Sequence, residues 1–279
     1  GLYTWINGGR FEETENPNMR LSRITVASEI AGRVVSVNVS ENTRVKKGDV
    51  LFQVDPEPLQ IALNQADAAV ESARLKVIEL KAAHSQALTQ EQIAADDAAF
   101  FQETFDRQKA LNAKGVATSS SLDDARHTAQ KAAQGLVAAK QAVATAQAAL
   151  ASSLTGEIDD HPMVVAAKAA RDQAAYNLSV ATVRAAADGL VYQASSFRPG
   201  EYVTPGASLF TIVETSNPWI DANFKEPQLA NMKPDQTAEV VFDLYPDRTF
   251  RATVDSIGAG TGAEFSLLPA QNATGNWVK

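Results

Sequence analysis

The sequence predicts an elongated α+β fold: a β-sandwich split by a long antiparallel coiled-coil α-hairpin, followed by a small β-barrel. Three observations predict it. A 4-3 spacing of small and apolar residues is sustained from Leu59 to Leu111. A short β-rich unit is written twice, once on each side of the helical stretch. After Val213 the chain returns to strands separated by Pro-containing turns.

The repeated unit comes first. Ile24, Val26 and Ile30, then Val34, Val35, Val37 and Val39, read as short strands, followed by the turn Lys46-Lys47-Gly48-Asp49 and the run Val50–Val54. Residues 189–213 read the same way. Gly189-Leu190-Val191 matches Gly32-Arg33-Val34, Val203 matches Val45, Phe210 matches Phe52 and Ile212 matches Val54. The second copy carries one extra residue between its two Gly landmarks. Each copy is too small to bury its own apolar face, so the two are expected to pair into one flattened sandwich. Gly32, Gly48, Gly189 and Gly206 are expected at tight turns that need positive φ or no Cβ.

Between the copies the period is helical. Asp55 can N-cap, Pro56 suits the first helical position and Glu57 the helix N-terminus. The seam then runs Leu59, Leu63, Ala66, Val70, Ala73, Val77, Leu80, His84, Ala87, Glu91, Ala94, Ala98, Phe101, Phe105, Gln108 and Leu111. A seven-residue beat held this long is a coiled-coil signature. Asn112 and Gly115 mark the stop. Helix restarts at Ser119-Ser120-Ser121, with Ser121 and Asp124 spaced as a capping box. Its seam is Leu122, Ala129, Leu136, Val143 and Leu150, with Ala125, Ala132, Ala139 and Ala146 between. A break is predicted over 155–162 and a further helix from Met163 to about Ala181. Small seam residues let two helices approach closely, which makes the hairpin a narrow rod, about 85 Å along its first arm.

The C-terminal strands are 219–224, 238–242 and 250–254, with a short helical piece at 226–232. We therefore expect five segments. These are a membrane-proximal entry with one barrel strand over 1–24, half-sandwiches over 25–55 and 183–213, the hairpin over 56–182, and a C-terminally incomplete barrel over 214–279.

Composition removes several function classes. The 279 residues carry 25 Lys and Arg against 33 Asp and Glu, a net charge of -8, and no basic run, so nucleic acid is not an expected partner. There is no Cys, hence no disulfide and no Cys-ligated metal. His84, His127 and His161 are far apart and none lies in a ligand-spaced motif, so no metal and no cofactor is expected; His161, beside Asp159 and Asp160, reads as part of a polar loop. No nucleophile elbow, phosphate loop or dinucleotide fingerprint is present, and no catalytic residue is expected. No run of 18 apolar residues spans a bilayer. The start, Gly1-Leu2-Tyr3-Thr4-Trp5-Ile6, is apolar and aromatic before a polar run, as at the outer end of a membrane anchor.

The doubled β-unit resembles the lipoyl and biotinyl carrier domains, split in the middle. In those carriers a Lys between the halves takes the cofactor. Here the corresponding stretch is Phe52-Gln53-Val54-Asp55-Pro56-Glu57, without Lys, so the resemblance implies the fold and argues against carrier chemistry. The whole arrangement resembles the HlyD-type membrane fusion proteins, the periplasmic adaptors of tripartite pumps. Their tip motif is an Arg, a Leu four residues on and a Ser seven further. Arg107 and Leu111 match it, and Thr118 keeps the hydroxyl. Trp219–Glu226 and Phe265–Trp277 resemble the EmrA branch, which serves major-facilitator drug exporters, and Glu13-Thr14-Glu15-Asn16 fits the family's entry into the barrel.

The resemblance implies an adaptor in the periplasm, held at the inner membrane by an N-terminal helix absent from this chain. Its implied partners are an inner-membrane transporter, an outer-membrane channel of TolC type that meets Arg107, Leu111 and Thr118, and further copies of itself in a ring. An adaptor of type I protein secretion is the alternative within the family; a lipoyl or biotinyl carrier subunit and a coiled-coil structural protein are the alternatives outside it.

Overall fold

A computed structural model describes residues 14, 17–151, 156–230, 232–243, 245–258 and 262–267. The aromatic start, most of 13–16, Thr155 of the predicted break and the EmrA-like stretch beyond Leu267 lie outside the described residues. The chain divides into two compact units: residues 1–56 with 180–279, and residues 57–179.

In the first unit the repeat becomes a pair of four-stranded sheets. The strands are β2 (Arg23–Ala27), β3 (Gly32–Val37), β4 (Arg44–Val45), β5 (Val50–Val54), β6 (Thr182–Arg184), β7 (Gly189–Tyr192), β8 (Tyr202–Val203) and β9 (Ser208–Glu214). One sheet has the order β2-β9-β7-β4, the other β6-β5-β3-β8. Exchanging first-copy strands for second-copy strands turns one order into the other, so each sheet borrows from both copies. The register repeats as well. Gly32 faces Val203 while Gly189 faces Val45, and Val34 faces Val54 while Val191 faces Ile212. Neither copy can close its sheet alone, which is why the two halves must find each other across the intervening helices.

The sandwich core is small and aromatic. Val34, Leu51, Phe52, Val54, Val191, Phe210 and Ile212 are all at most 1% exposed. Phe52 and Phe210, equivalent positions on opposite sheets, stand edge-on with ring centroids 6.1 Å apart, and Phe197 joins them at 4.9 and 5.4 Å. Edge-to-face rings suit their quadrupoles. Gly48 and Gly206 take φ of +91° and +76° in the paired turns. Gly32 and Gly189 are not in that region; they lie in β3 and β7, where an added Cβ would collide with neighbours.

The second part of this unit is a five-stranded antiparallel sheet of order β1-β10-β13-β12-β11. It comprises β1 (Pro17–Arg20), β10 (Trp219–Asn223), β11 (Thr237–Phe242), β12 (Tyr245–Ile257) and β13 (Gly262–Leu267). Where a barrel is expected, the described strands form an open sheet with β1 and β11 at its edges. Alternation along β10 buries Ile220 and Ala222 against Phe224, Ala252 and Val254.

The helical unit consists of α1 (Glu57–Ala113), α2 (Ser119–Leu150), a 3₁₀ turn (Ile158–Asp160) and α3 (Pro162–Ser179). Every predicted seam position from Leu59 to Leu111, and every one on α2, is buried or half-buried, including the polar His84, Glu91 and Gln108. The polar seam residues are half-buried, not buried. Burial is deepest near the base, where Val70, Ala73 and Val77 of α1 lie; Ala73 and Val77 cluster there with Val164 of α3, Ile158 and Ala167. There the return arm breaks, and α3 resumes packing on α1.

Candidate docking site at the hairpin tip

The tip is built by a helix stop. Gly115, with φ of +76°, turns the chain out of α1. Its N–H donates to the Asn112 carbonyl at 2.9 Å, and the Val116 N–H donates to the Leu111 carbonyl at 3.0 Å. A six-residue bond enclosing a shorter one, around a left-handed Gly, is the Schellman arrangement. The Asn112 side-chain amide adds a bond to the Ala117 carbonyl at 2.9 Å. The five residues between the helices, 114–118, are thus held by their own backbone and by Asn112.

Thr118 opens α2. Its backbone is extended (φ -76°, ψ 154°) and its hydroxyl oxygen accepts from the Ser121 N–H at 3.2 Å. Ser121 in turn donates its hydroxyl to the Thr118 carbonyl at 2.9 Å. The N-cap is therefore Thr118, not Ser121 with Asp124 as the spacing suggests. The three-residue offset misled because three successive serines and a threonine can each cap; the one immediately after the Schellman turn is the one whose φ and ψ are already extended.

Of the three motif positions, Arg107 and Thr118 are exposed. The Arg107 side chain is 59% exposed, and its guanidinium lies 3.8 Å from Glu103, one turn back on α1. Leu111 is half-buried and its carbonyl anchors the turn. The structure therefore brings Arg107, Leu111 and Thr118 to one end of the hairpin but gives Thr118 a capping task. Val116, between them, is 73% exposed. Sequence reading passed over it, although an apolar residue directly after the stop Gly is the available signal.

At the base, Arg74 reaches Asp159 with two bonds, Nε to Oδ1 at 2.7 Å and Nη2 to Oδ2 at 2.8 Å, and Lys168 adds a third at 3.2 Å. His161 is not a loop residue in solvent; it is 6% exposed. Its Nδ1 accepts from the Met163 N–H at 3.1 Å, so Nε2 carries the proton and donates to the Ala149 carbonyl at 3.0 Å. His161 thus caps α3 and ties it to the end of α2. Among the described residues no cluster of His, Asp and Glu could hold a metal ion.

The Arg74 guanidinium and then Lys168 hold the Asp159 carboxyl well below the usual carboxylate range. A depressed folded-state pKa stabilises the fold above the ordinary Asp value and loses that contribution as pH falls toward the folded value. Asp159→Asn is therefore expected to lower the urea midpoint at pH 7. The gap to the parent should narrow once the pH drops below about 4, where the unfolded chain begins to protonate. A gap that stays constant from pH 7 to pH 3 would show that charge is not what joins these segments.

The chain matches the family model for the barrel-sandwich hybrid domain of RND-type membrane fusion proteins over residues 22–215. It is 37% identical over 268 residues to the fatty acid resistance protein FarA of Neisseria gonorrhoeae, covering 96% of this chain and 67% of that protein. It is 32% identical over 279 residues to the multidrug export protein EmrA of Haemophilus influenzae, covering 100% of this chain and 70% of that one. Among solved structures, one described as an efflux transporter from Bacteroides eggerthii shares the fold with a TM-score of 0.52 at 16% identity, over 94% of this chain and 65% of the other. Among the described residues no helix is long and apolar enough to cross a membrane. The chain belongs to the membrane fusion protein family, in its EmrA-like branch.

Proposed function

We propose that this chain is the periplasmic adaptor of a tripartite multidrug efflux pump, joining an inner-membrane major-facilitator transporter to an outer-membrane channel. The observation that carries the reading is the likeness to multidrug export proteins over the full length of the chain, hairpin included. The fold supports it. A rod whose seam is lined with Ala and which holds no catalytic constellation among the described residues suits spacing and docking rather than chemistry. In this reading Arg107, Leu111 and Thr118 stand at the end that meets the channel, several copies form the conduit, and the inner membrane holds the other end. Drugs and fatty acids are the candidate cargoes, because relatives are named for multidrug export and for fatty acid resistance.

These 279 residues hold no Cys, so an Ala113→Cys substitution gives them one labelling point, at the tip. Carrying a photoreactive maleimide in cells with the intact pump, it is expected to form an adduct with an outer-membrane channel. Deletion of the gene is expected to sensitise the same cells to hydrophobic drugs. Adducts confined to cytosolic or inner-membrane proteins, with unchanged drug sensitivity, would overturn the adaptor reading.

A further inference from the structure

We infer that Val116 is the apolar contact by which the hairpin tip engages the outer-membrane channel, and that Thr118 acts on that contact only by positioning it. The inference rests on the adaptor reading above.

Val116 is the most exposed of the large apolar side chains in the described residues, at 73%. Other exposed apolar residues of the hairpin, such as Ile93 and Phe100, lie along helix flanks. Val116 lies at the turn. In a Schellman turn the residue after the Gly commonly packs on the residue five back. Here that partner would be Leu111, yet nearly three quarters of Val116 is uncovered, so local packing does not account for an apolar residue at this place. The backbone that carries it is fixed at four points: Gly115 to Asn112, Val116 to Leu111, Asn112 to the Ala117 carbonyl, and the Thr118 cap on Ser121. An apolar side chain displayed on an immobilised turn binds with little further loss of entropy.

Thr118 has the opposite character. Its hydroxyl oxygen accepts from Ser121 N–H, and its O–H lies 3.2 Å from the Ser121 hydroxyl. Both are committed within the turn. A hydroxyl spent on a cap sets the direction in which α2 leaves the turn, and hence where Val116 points.

Charge selects the occupant. From 107 to 122 the sequence holds Arg107, Lys109 and Lys114 and no Asp or Glu, in a chain whose net charge is -8; Arg107 pairs back to Glu103 at 3.8 Å, while Lys109 and Lys114 are exposed beside the turn. The nearest carboxylates in sequence, Asp106 and Asp123, stand behind the turn, one on each helix. Two exposed lysines beside one apolar knob fit an apolar recess rimmed by carboxylates on the periplasmic end of the channel.

The test uses the full-length protein with its transporter and channel in cells, and the Ala113→Cys photoadduct as readout. Val116→Ser is expected to lower the channel adduct about tenfold, since burial of a Val side chain is worth at least one decade in binding. Its helical content and unfolding midpoint should stay unchanged. Val116→Ile is expected to retain the adduct. Thr118→Val, which keeps shape but loses the cap, is expected to lower it severalfold, and Thr118→Ser to restore it. A Val116→Ser protein that still labels the channel as the parent does overturns the assignment while leaving the adaptor reading intact. A parent protein that labels no channel at all overturns both. Labelling of anionic phospholipid in place of the channel, lost in Val116→Ser, assigns the knob to a membrane surface and overturns the inference. Equal labelling by Thr118→Val and the parent overturns the positioning role.

Discussion

Gly189→Ala is expected to destabilise the β-sandwich by about 3 kcal/mol or more, as overpacking does when nothing can move aside. A Cβ on Gly189 would lie 2.4 Å from the Val213 carbonyl oxygen and 2.7 Å from Ile212 Cγ2. The oxygen belongs to β9, whose pairing with β7 fixes its position along the sheet. Relief would require β7 and β9 to part, at the level where Val191 and Ile212 form the core. Gly206→Ala is the contrast. Nothing lies within 4 Å of its added Cβ, and only the φ of +76° resists it, at about 1 kcal/mol. Gly32→Ala falls between, because the atom met at 2.5 Å is Val54 Cγ1, a side chain that can rotate at some loss of packing. Urea unfolding of the three variants, with soluble yield as a second measure, should rank them Gly189, Gly32, Gly206. If Gly189→Ala unfolds within about 1 kcal/mol of Gly206→Ala, close approach of strands is not why that position lacks a side chain.

These four glycines also show where the sequence is legible and where it stops. Their repeat placed all four at matching landmarks, and the observed register confirms the match down to Gly32 facing Val203 and Gly189 facing Val45. Spacing alone could not separate the pair that needs positive φ from the pair that needs an absent Cβ, because both demands produce the same letter. The coiled-coil seam was readable residue by residue, since burial follows a fixed period once two helices lie side by side. The tip was readable only in outline. Capping depends on φ and ψ at one residue, and four consecutive hydroxyl residues, Thr118 to Ser121, offer the same chemistry. His161 was missed for a related reason: its neighbours Asp159 and Asp160 make the segment look solvated, while its ring reaches back to the Ala149 carbonyl at the end of α2, twelve positions earlier. The Arg74–Asp159 pair, 85 positions apart, leaves no local trace at all.

Phe52→Ala carries the other large expected effect, about 3–5 kcal/mol, the range for truncating a fully buried Phe. Phe52 is 0% exposed and Phe210 1%. The two descend from equivalent positions of the repeat but sit on opposite sheets, so each fills the space that the other half would leave open. Phe197, from the longer loop of the second copy, closes the third side at 4.9 Å from Phe52 and 5.4 Å from Phe210. No small side chain is at hand to collapse into the gap, because the surrounding Leu51, Val54 and Ile212 are held in their ladders. Such a loss is a large share of the 5–15 kcal/mol that keeps a domain folded. Phe210→Ala should cost a similar amount, as the pseudo-symmetry requires. The double variant should cost less than the sum, because each single change already removes the shared ring contact. Phe100→Ala, 60% exposed on α1, should stay within about 0.5 kcal/mol of the parent. Denaturant unfolding followed by near-ultraviolet signal separates these cases. Strict additivity of Phe52→Ala and Phe210→Ala would mean that the two halves of the repeat do not share one core, and the hairpin would then be inserted between two independent β-units rather than into a single one.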